Sequence, residues 1–275
     1  MLRPGKDGLL DLEILPAGPG TRRVRAPLSL GRILHSDPSF PDAHVVYIRA
    51  TGGGLAQGDH VRQRIQVRSG AHAIVTSQAA TRVHSMTSGY AEQLTEFTVE
   101  PDAVLEYLPD PAIPSRDCHF RQHTKVTVSP GATAIVGDCF TAGRVAHGEL
   151  HDAAEIDLRA ELHAHDSVPA FIEKAHYLGK RDLSSPIAHG NYRAWANLWV
   201  ICSPPLVDDV LTSWQDYPHS DTAPLIGASS LPDGLGIWAR FMGNSIEHVT
   251  DAQHDYWNLA RRIVLNAPAF SLRKM

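Results

Sequence analysis

Short segments in which apolar and polar residues alternate recur along most of the chain. The alternation is clearest in residues 61–67 and 155–162 and, near the C-terminus, in 235–241. A period of two is typical of a β-strand that buries one face. Shorter or less regular strand candidates are 45–50, 73–76, 95–99, 104–108, 125–129, 132–136, 171–178 and 195–201. Many short strands separated by turn signals such as Ser129-Pro130-Gly131 predict an all-β fold.

Two helices are predicted, and both lie late in the chain. Between residues 206 and 214 the apolar positions form one stripe, and Ser203 before Pro204 predicts a cap at the start of that helix. The second helix is predicted to begin at Thr250, where residues 250–253 have the spacing of a capping box, and Pro268 bars a long extension. The first 200 residues show no helical pattern, and segments 183–190 and 218–234 are predicted as loops.

Composition indicates a folded globular chain. Of the 275 residues, 43% are hydrophobic and 20% are charged, which supplies enough apolar surface for a core. The formal charge is −5, so the chain lacks the excess of basic residues that is typical of nucleic-acid-binding proteins. No apolar run approaches the ~18 residues of a membrane span, and the N-terminus lacks the apolar core of a signal peptide. With no linker or repeat visible, a single domain is predicted over residues 1–275.

The cysteines bear on the cellular compartment. Cys118, Cys139 and Cys202 are odd in number and far apart. This argues against a disulfide framework and for a reducing environment, so a cytoplasmic location is predicted.

Sixteen histidines stand out, because neutral imidazole is a common metal ligand. His163 and His165 would share one face of a strand, so they are a better candidate pair of metal ligands than His119 and His123. His119 and His123 would stand roughly 13 Å apart along a strand, too far for one ion. The His-x-Glu-x-x-His and Gly-x-Ser-x-Gly motifs are absent from the sequence.

The segment 52–59 combines glycines with one acid. Gly53 and Gly58 have the spacing of a phosphate-binding loop, but Asp59 and His60 replace the Lys and Ser/Thr that would hold phosphate and magnesium. A carboxylate there would repel phosphate, so nucleotide binding is rejected. Glycines supply turns with positive φ at no steric cost, which explains them but not Asp59.

A second polar segment follows the strand candidate at 73–76. It contains Gln78, Thr81, Arg82 and His84. Their side chains would either edge a strand or line a buried path, and the residue types leave both interpretations open.

A third segment, residues 138–149, brings two acids and an arginine into a glycine-containing turn. An ion pair between Arg144 and Glu149 is the structural interpretation. The functional one is that Asp138 and Glu149 contact a divalent cation in transit, since such cations accept carboxylate oxygens. Composition does not choose between them.

At these residues the sequence resembles the UreD/UreH family of urease accessory proteins. The resembling motifs follow one another in the family's order, over about residues 27–273. They are the glycine-rich 53–59, the alanine- and threonine-containing 70–83, Leu105-Glu106-Tyr107-Leu108-Pro109, Thr141-Ala142-Gly143-Arg144 with Gly148-Glu149, and the C-terminal helix with Trp257 and Arg261. Two departures are Arg82, where the family usually has Lys, and His84, where Tyr is common.

The resemblance implies a specific function. Family members are scaffolds rather than enzymes, and they deliver nickel to apo-urease. They bind the urease structural subunits and a UreF-type accessory protein, which recruits a UreG-type GTPase. The family fold is a β-helix-like stack of strands with two helices, and nickel in transit is thought to pass through a polar internal tunnel with no tightly bound cofactor.

By analogy, the resemblance suggests which residues form the nickel path. Its waypoints would be Asp59, His84, Asp138 and Glu149. Further polar residues would line the path or serve the structure: Gln78, Thr81, Arg82, Thr141 and Arg144. Segment 218–234 and the C-terminal helix are candidate partner contacts.

Two other functions stay open from the sequence. A metal-dependent hydrolase on a β scaffold would use histidines with Asp138 and Glu149, and it would need three protein ligands around one ion. A binding module unrelated to urease would lack urease subunits and a GTPase among its partners.

Overall fold

The computed structural model describes residues 5–164, 168–218 and 223–272. The strands of that part of the chain are β1 (Asp7–Leu15), β2 (Gly18–Arg25), β3 (Leu28–Leu30), β4 (His44–Ala50), β5 (His60–Val67), β6 (His72–Ser77), β7 (Thr81–Val83), β8 (Ala91–Val99), β9 (Val104–Tyr107), β10 (Ala112–Pro114), β11 (His119–Val128), β12 (Thr133–Thr141), β13 (Glu155–Ala164), β14 (Phe171–Leu178), β15 (Ala194–Ile201), β16 (Leu225–Ser230) and β17 (Gly236–Gly243). The helices are α1 (Gly179–Leu183), α2 (Val207–Gln215) and α3 (Ile246–Val264).

The strands form two sheets that pack face to face around a shared core. From β4 to β13 the long strands alternate between the sheets and pair in parallel with strands of neighbouring coils. The seven-stranded sheet has the order β14-β13-β11-β8-β5-β1-β2. The ten-stranded sheet has the order β16-β17-β15-β12-β9-β6-β4-β3, and the short β10 and β7 extend from β12. This β-helix-like stack confirms the predicted all-β class with two late helices.

The core between the sheets follows from strand alternation. In β5, Val61, Ile65 and Val67 face inward and are at most 3% exposed. Helices α2 and α3 cover the other face of the ten-stranded sheet, where the side chains of Trp214 and Trp257 are fully buried. Strand β15 therefore lies between two apolar layers, which explains why its sequence is almost continuously hydrophobic.

A buried ion cluster holds α3 against the ten-stranded sheet. Arg261 is fully buried and pairs with Asp37 at 2.5 Å and with Glu106 at 3.1 Å. The indole nitrogen of Trp257 donates to Glu106 at 2.5 Å, and Arg261 also donates to the carbonyl of Pro268 at 2.7 Å. These contacts join the C-terminal segment to β9 and to the residues before β4.

Every predicted strand is confirmed, most of them with longer bounds. The sequence analysis did not identify β1, β2, β3, β7, β10 and β16. Strands β2 and β16 have no buried face, since they are exposed edge strands without a pattern to read. The prediction of a loop over 218–234 is wrong where β16 runs, and residues 219–222 of that segment lie outside the described residues.

The helix predictions need three corrections. Helix α2 agrees with the stripe, but Ser203 makes no side-chain cap, and a 3₁₀ turn at Pro204–Leu206 intervenes. Helix α3 begins at Ile246 rather than Thr250, because Ser245 is the cap and accepts a first-turn N–H at 3.3 Å. The short α1 lies within the first 200 residues, where no helix is predicted. None of the described helices is long and apolar enough to cross a membrane.

Candidate functional site

The space between the sheets is apolar at one end of the strands and polar at the other. In β5, Gln63 faces inward beside Ile65, and its side chain is 5% exposed. Gln93 of β8 and Gln122 of β11 lie side by side in register and also face inward. A cavity of about 470 Å³, here called the inter-sheet cavity, occupies this polar end and is lined by all three glutamines.

Polar atoms in this cavity are not all satisfied by the protein. The amide oxygen of Gln63 is buried and has no hydrogen-bond partner among the described residues. Buried polar atoms in folded proteins normally find a partner, and in a polar space of this size the partner is water or an ion. The inter-sheet cavity is therefore suited to hold water molecules or ions.

Asp138 of β12 lines the inter-sheet cavity from the ten-stranded sheet. One carboxylate oxygen accepts hydrogen bonds from Asn197, at 3.1 Å from the backbone N–H and 2.9 Å from the side-chain amide. Burial raises the pKa of Asp138 to about 6, against the lowering effects of Asn197 and the nearby Arg240. The carboxyl group thus titrates close to neutral pH.

Beyond Asp138, a series of polar side chains in mutual contact continues between the sheets. Asn197 accepts from Arg240 at 3.0 Å, and Arg240 forms an ion pair with Glu173 of β14. A small void of about 20 Å³ lies there and shares Gln122 and Asp138 with the inter-sheet cavity. It has room for about one water-sized particle.

The turn after β6 closes one side of the inter-sheet cavity. Gln78 lines it from this turn, and Thr81 and Arg82 line it from β7. Arg82 also lines a second cavity, so the two cavities are neighbours across β7.

This second cavity, of about 570 Å³, is here called the basic cavity. It contains four of the residues expected on the path: Arg82, His84, Thr141 and Arg144. His147 and Arg193 add further basic groups to its wall. The expected residues are therefore divided between two cavities rather than gathered along one.

Asp59 and Glu149 are not among the residues that line either cavity. The two oxygens of Asp59 accept backbone N–H groups, from Lys6 at 2.7 Å and from Ala56 at 2.8 Å. Asp59 is 2% exposed, so its carboxylate closes the turn after the glycine-rich segment. Both oxygens of this expected waypoint are therefore engaged by backbone donors.

Glu149 is likewise engaged. Arg144 donates to both of its oxygens, and the backbone N–H of Arg116 donates to one of them at 3.1 Å. The hydrogen bond from Arg144, more than any other contact, holds the pKa of Glu149 below its usual range. The ion pair given as the structural interpretation of this turn is present.

The histidines of the two pairs contact glutamates where the structure describes them. His119 and His163 each contact a glutamate of β13, Glu155 at 3.3 Å and Glu161 at 2.9 Å. His165 lies outside the described residues. Among the described residues, no group of three or more His, Cys, Asp or Glu side chains is placed to hold a metal ion.

Sequence reasoning missed the residues that make the inter-sheet cavity polar. They are Gln63, Gln93 and Gln122, and it also missed Asn197 and Arg240, which line the small void beside Asp138. One signal was available, because Gln63 occupies an inward position of the alternating segment 61–67, where an apolar residue is the rule. A polar residue on a buried face is the informative exception.

Comparison with known proteins supports the same family as the sequence motifs. A sequence model described as UreD urease accessory protein matches residues 17–274. This chain belongs to the UreD family. It is 34% identical to urease accessory protein UreD 2 of Streptomyces griseus subsp. griseus, over 98% of this chain and 94% of that protein.

Relatives from other lineages are similarly complete. Urease accessory protein UreD of Haloarcula marismortui is 33% identical, over 98% of this chain and 91% of that protein. UreD 2 of Brucella ovis is 31% identical, over 90% of this chain and 83% of that protein. The expected membership in the UreD family is thereby confirmed for nearly the whole chain.

Proposed function

We propose that this UreD chain passes nickel ions to apo-urease through the inter-sheet cavity during urease maturation. The observation that carries the proposal is the polar end of the space between the sheets, where four glutamines, Asp110 and Asp138 are among the residues that line a cavity of about 470 Å³. A purely structural core has no need of such a lining, because buried polar groups cost free energy unless they are paired.

The chemistry of the lining fits transit better than storage. A path must bind an ion strongly enough to admit it and weakly enough to release it. Amide oxygens are weak ligands for a borderline cation, and Asp110 and Asp138 add carboxylates to the lining. Asp138 has a pKa of about 6, so at neutral pH it is mostly ionised and able to accept a cation.

The proposed partners are the urease structural subunits and a UreF-type accessory protein, with a UreG-type GTPase joining through the complex. UreD would then act as a scaffold without turnover of its own. Segment 218–234 and α3 remain the candidate contact surfaces. The alternative of a metal-dependent hydrolase has no assembled metal centre among the described residues to support it.

The decisive experiment removes the negative charge of Asp138. The variant Asp138→Asn is coexpressed with the urease subunits and the other accessory proteins, and nickel per urease active site and urease activity are measured. We expect both to fall, while copurification of the partners is unchanged.

The matched control is Asp157→Asn. Asp157 lies on the outer face of β13, so the same charge is lost away from the cavity. Wild-type nickel loading with Asp138→Asn would contradict the proposed path. Loss of the partners from the Asp138 variant would instead show that this residue serves assembly.

A further inference from the structure

The lining of the basic cavity has an excess of arginine side chains over acidic ones. Arg82 and Arg193 line it, and neither guanidinium has a hydrogen-bond or ion-pair partner among the described residues. Arg144 lies in the same wall but is already paired with Glu149. The acid in the lining, Glu247, accepts a hydrogen bond from Ser245 at 2.5 Å at the start of α3. Two unpaired positive groups therefore face one space.

Two glycine motifs of the sequence support the walls of this cavity. Gly54 has φ of 134°, and a Cβ there would lie 2.4 Å from the backbone oxygen of Arg82. Gly143 has φ of 143°, and a Cβ there would lie 2.8 Å from the backbone oxygen of Glu149. Both positions exclude any other residue, so the close packing that fixes Arg82 and the 143–149 turn depends on glycine.

A buried hydroxyl adds to the lining. Ser115 is only 5% exposed, and it lines the basic cavity. A hydroxyl can donate to an anionic oxygen. The lining thus offers the hydroxyl of Ser115 beside two guanidinium groups that have no hydrogen-bond or ion-pair partner among the described residues.

We infer that the basic cavity binds an oxyanion, carried by phosphate or by a small carboxylic acid. Guanidinium groups present a planar fork of donors that matches either kind of group. A volume of about 570 Å³ is that of a small-molecule site, larger than one inorganic ion needs. On this assignment His84, Thr141 and Arg144 belong to the oxyanion site and not to the nickel path.

The inference does not depend on the proposed nickel transfer, because it is tested on the isolated chain without metal. Binding of inorganic phosphate and of citrate is measured by calorimetry, with sodium chloride at equal ionic strength as the reference. The test variant is Arg82→Gln with Arg193→Gln. The matched control is Arg23→Gln with Arg181→Gln, two arginines at exposed positions outside the cavity lining.

We expect at least one of the two anions to bind the wild type. Losing both guanidinium groups should weaken that binding at least about tenfold, since each is a charge-assisted donor. The control should bind as the wild type does. Tighter binding of phosphate or of citrate would identify which group the ligand carries.

Three outcomes would overturn the inference. The first is that the wild type binds neither anion up to about 10 mM, a concentration that corresponds to a very weak affinity. The second is that the test variant binds as tightly as the wild type. The third is that the control variant loses as much affinity as the test variant. The single variant Arg193→Gln, which touches only the basic cavity, guards against an effect of Arg82 on the inter-sheet cavity. It too should bind more weakly while its circular dichroism spectrum is unchanged.

Discussion

At Asp138, burial competes with the hydrogen bonds of Asn197 and with the charge of Arg240. Burial prevails, and the pKa rises from an ordinary 3.8 to about 6. Among the described residues, the ionised carboxylate of Asp138 has no direct ion pair to offset the free-energy cost of its burial. A residue that reduces stability when ionised is expected where function requires its charge.

The raised pKa of Asp138 has a definite sign in the pH dependence of stability. Between about pH 4 and pH 6 the folded state keeps the proton that the unfolded chain has released. The free energy of unfolding therefore falls as pH rises through this window, by roughly 2–3 kcal/mol at most. Asp138→Asn lacks this loss, so its stability relative to the wild type should increase between pH 4.5 and pH 7. Urea titrations at both pH values measure the free energy of unfolding of the variant and of the wild type. A difference between the two proteins that does not change with pH would contradict the raised pKa of Asp138.

Asp59 illustrates the opposite use of a carboxylate. Its two oxygens satisfy the backbone N–H groups of Lys6 and Ala56. Asp59→Ala leaves both donors without their partner and should lower the free energy of unfolding by about 2 kcal/mol. The neighbouring exposed Asp7→Ala, which removes an acid without these bonds, should cost much less. Nickel loading per folded molecule should be unchanged in both, and a stable Asp59 variant that blocks loading would put Asp59 back on the path.

At the scale of elements, the start of α3 shows which residue caps the helix. Ser245 accepts a first-turn N–H, whereas Thr250 lies inside the helix and donates to the carbonyl of Ile246 at 3.0 Å. Ser245→Ala should therefore destabilise the protein by about 1 kcal/mol, and Thr250→Ala should have little effect, since Ala is the better helix former. Thermal or urea unfolding of the two variants compares them directly. The reverse order would favour the start predicted from sequence.

The elements that the sequence predicts well are those with one buried face. Strands β5 and β13 alternate because the core lies on one side of each. Strand β1 has the same alternation, with Leu10, Leu12 and Ile14 buried, and was available to the same reasoning. Strands β2 and β16 pair at exposed sheet edges, and in β16 only Ile226 and Ala228 pack against the core, both of them half-buried. Their strand character comes from hydrogen bonds to a neighbour, which leave no trace in hydropathy.

At the scale of the whole molecule, the inter-sheet cavity is a product of coil stacking. Gln93 and Gln122 meet because β8 and β11 pair in a particular register, although turns and two strands of the other sheet separate them in sequence. No short segment of the sequence determines that register before the coils of the stack have folded against one another. The same holds for Arg261 and Asp37, which are 224 positions apart and meet only in the folded chain. Family motifs indicated the function, but the geometry of the site requires the stack.

The role of the cavity as a whole can be tested by making its lining apolar without filling it. Gln122 lines both the inter-sheet cavity and the small void beside Asp138, and leucine is close to it in size. Gln122→Leu should fold with unchanged or higher stability, because a buried amide is replaced by an apolar group. If nickel passes here, loss of one oxygen contact worth about 1.4 kcal/mol should slow urease activation about tenfold.

The control for this prediction is Gln66→Leu. Gln66 is exposed on the outer face of β5, so this variant makes the same chemical change in the same sheet outside the cavity. The initial rate of urease activation in the reconstituted complex is the measurement, because endpoint loading would conceal a slower transfer. Equal rates for the two variants would show that nickel does not pass between the sheets. A slow rate confined to Gln122→Leu would instead connect the polar end of the stack to the transfer itself, since both variants keep the same fold, partners and net charge.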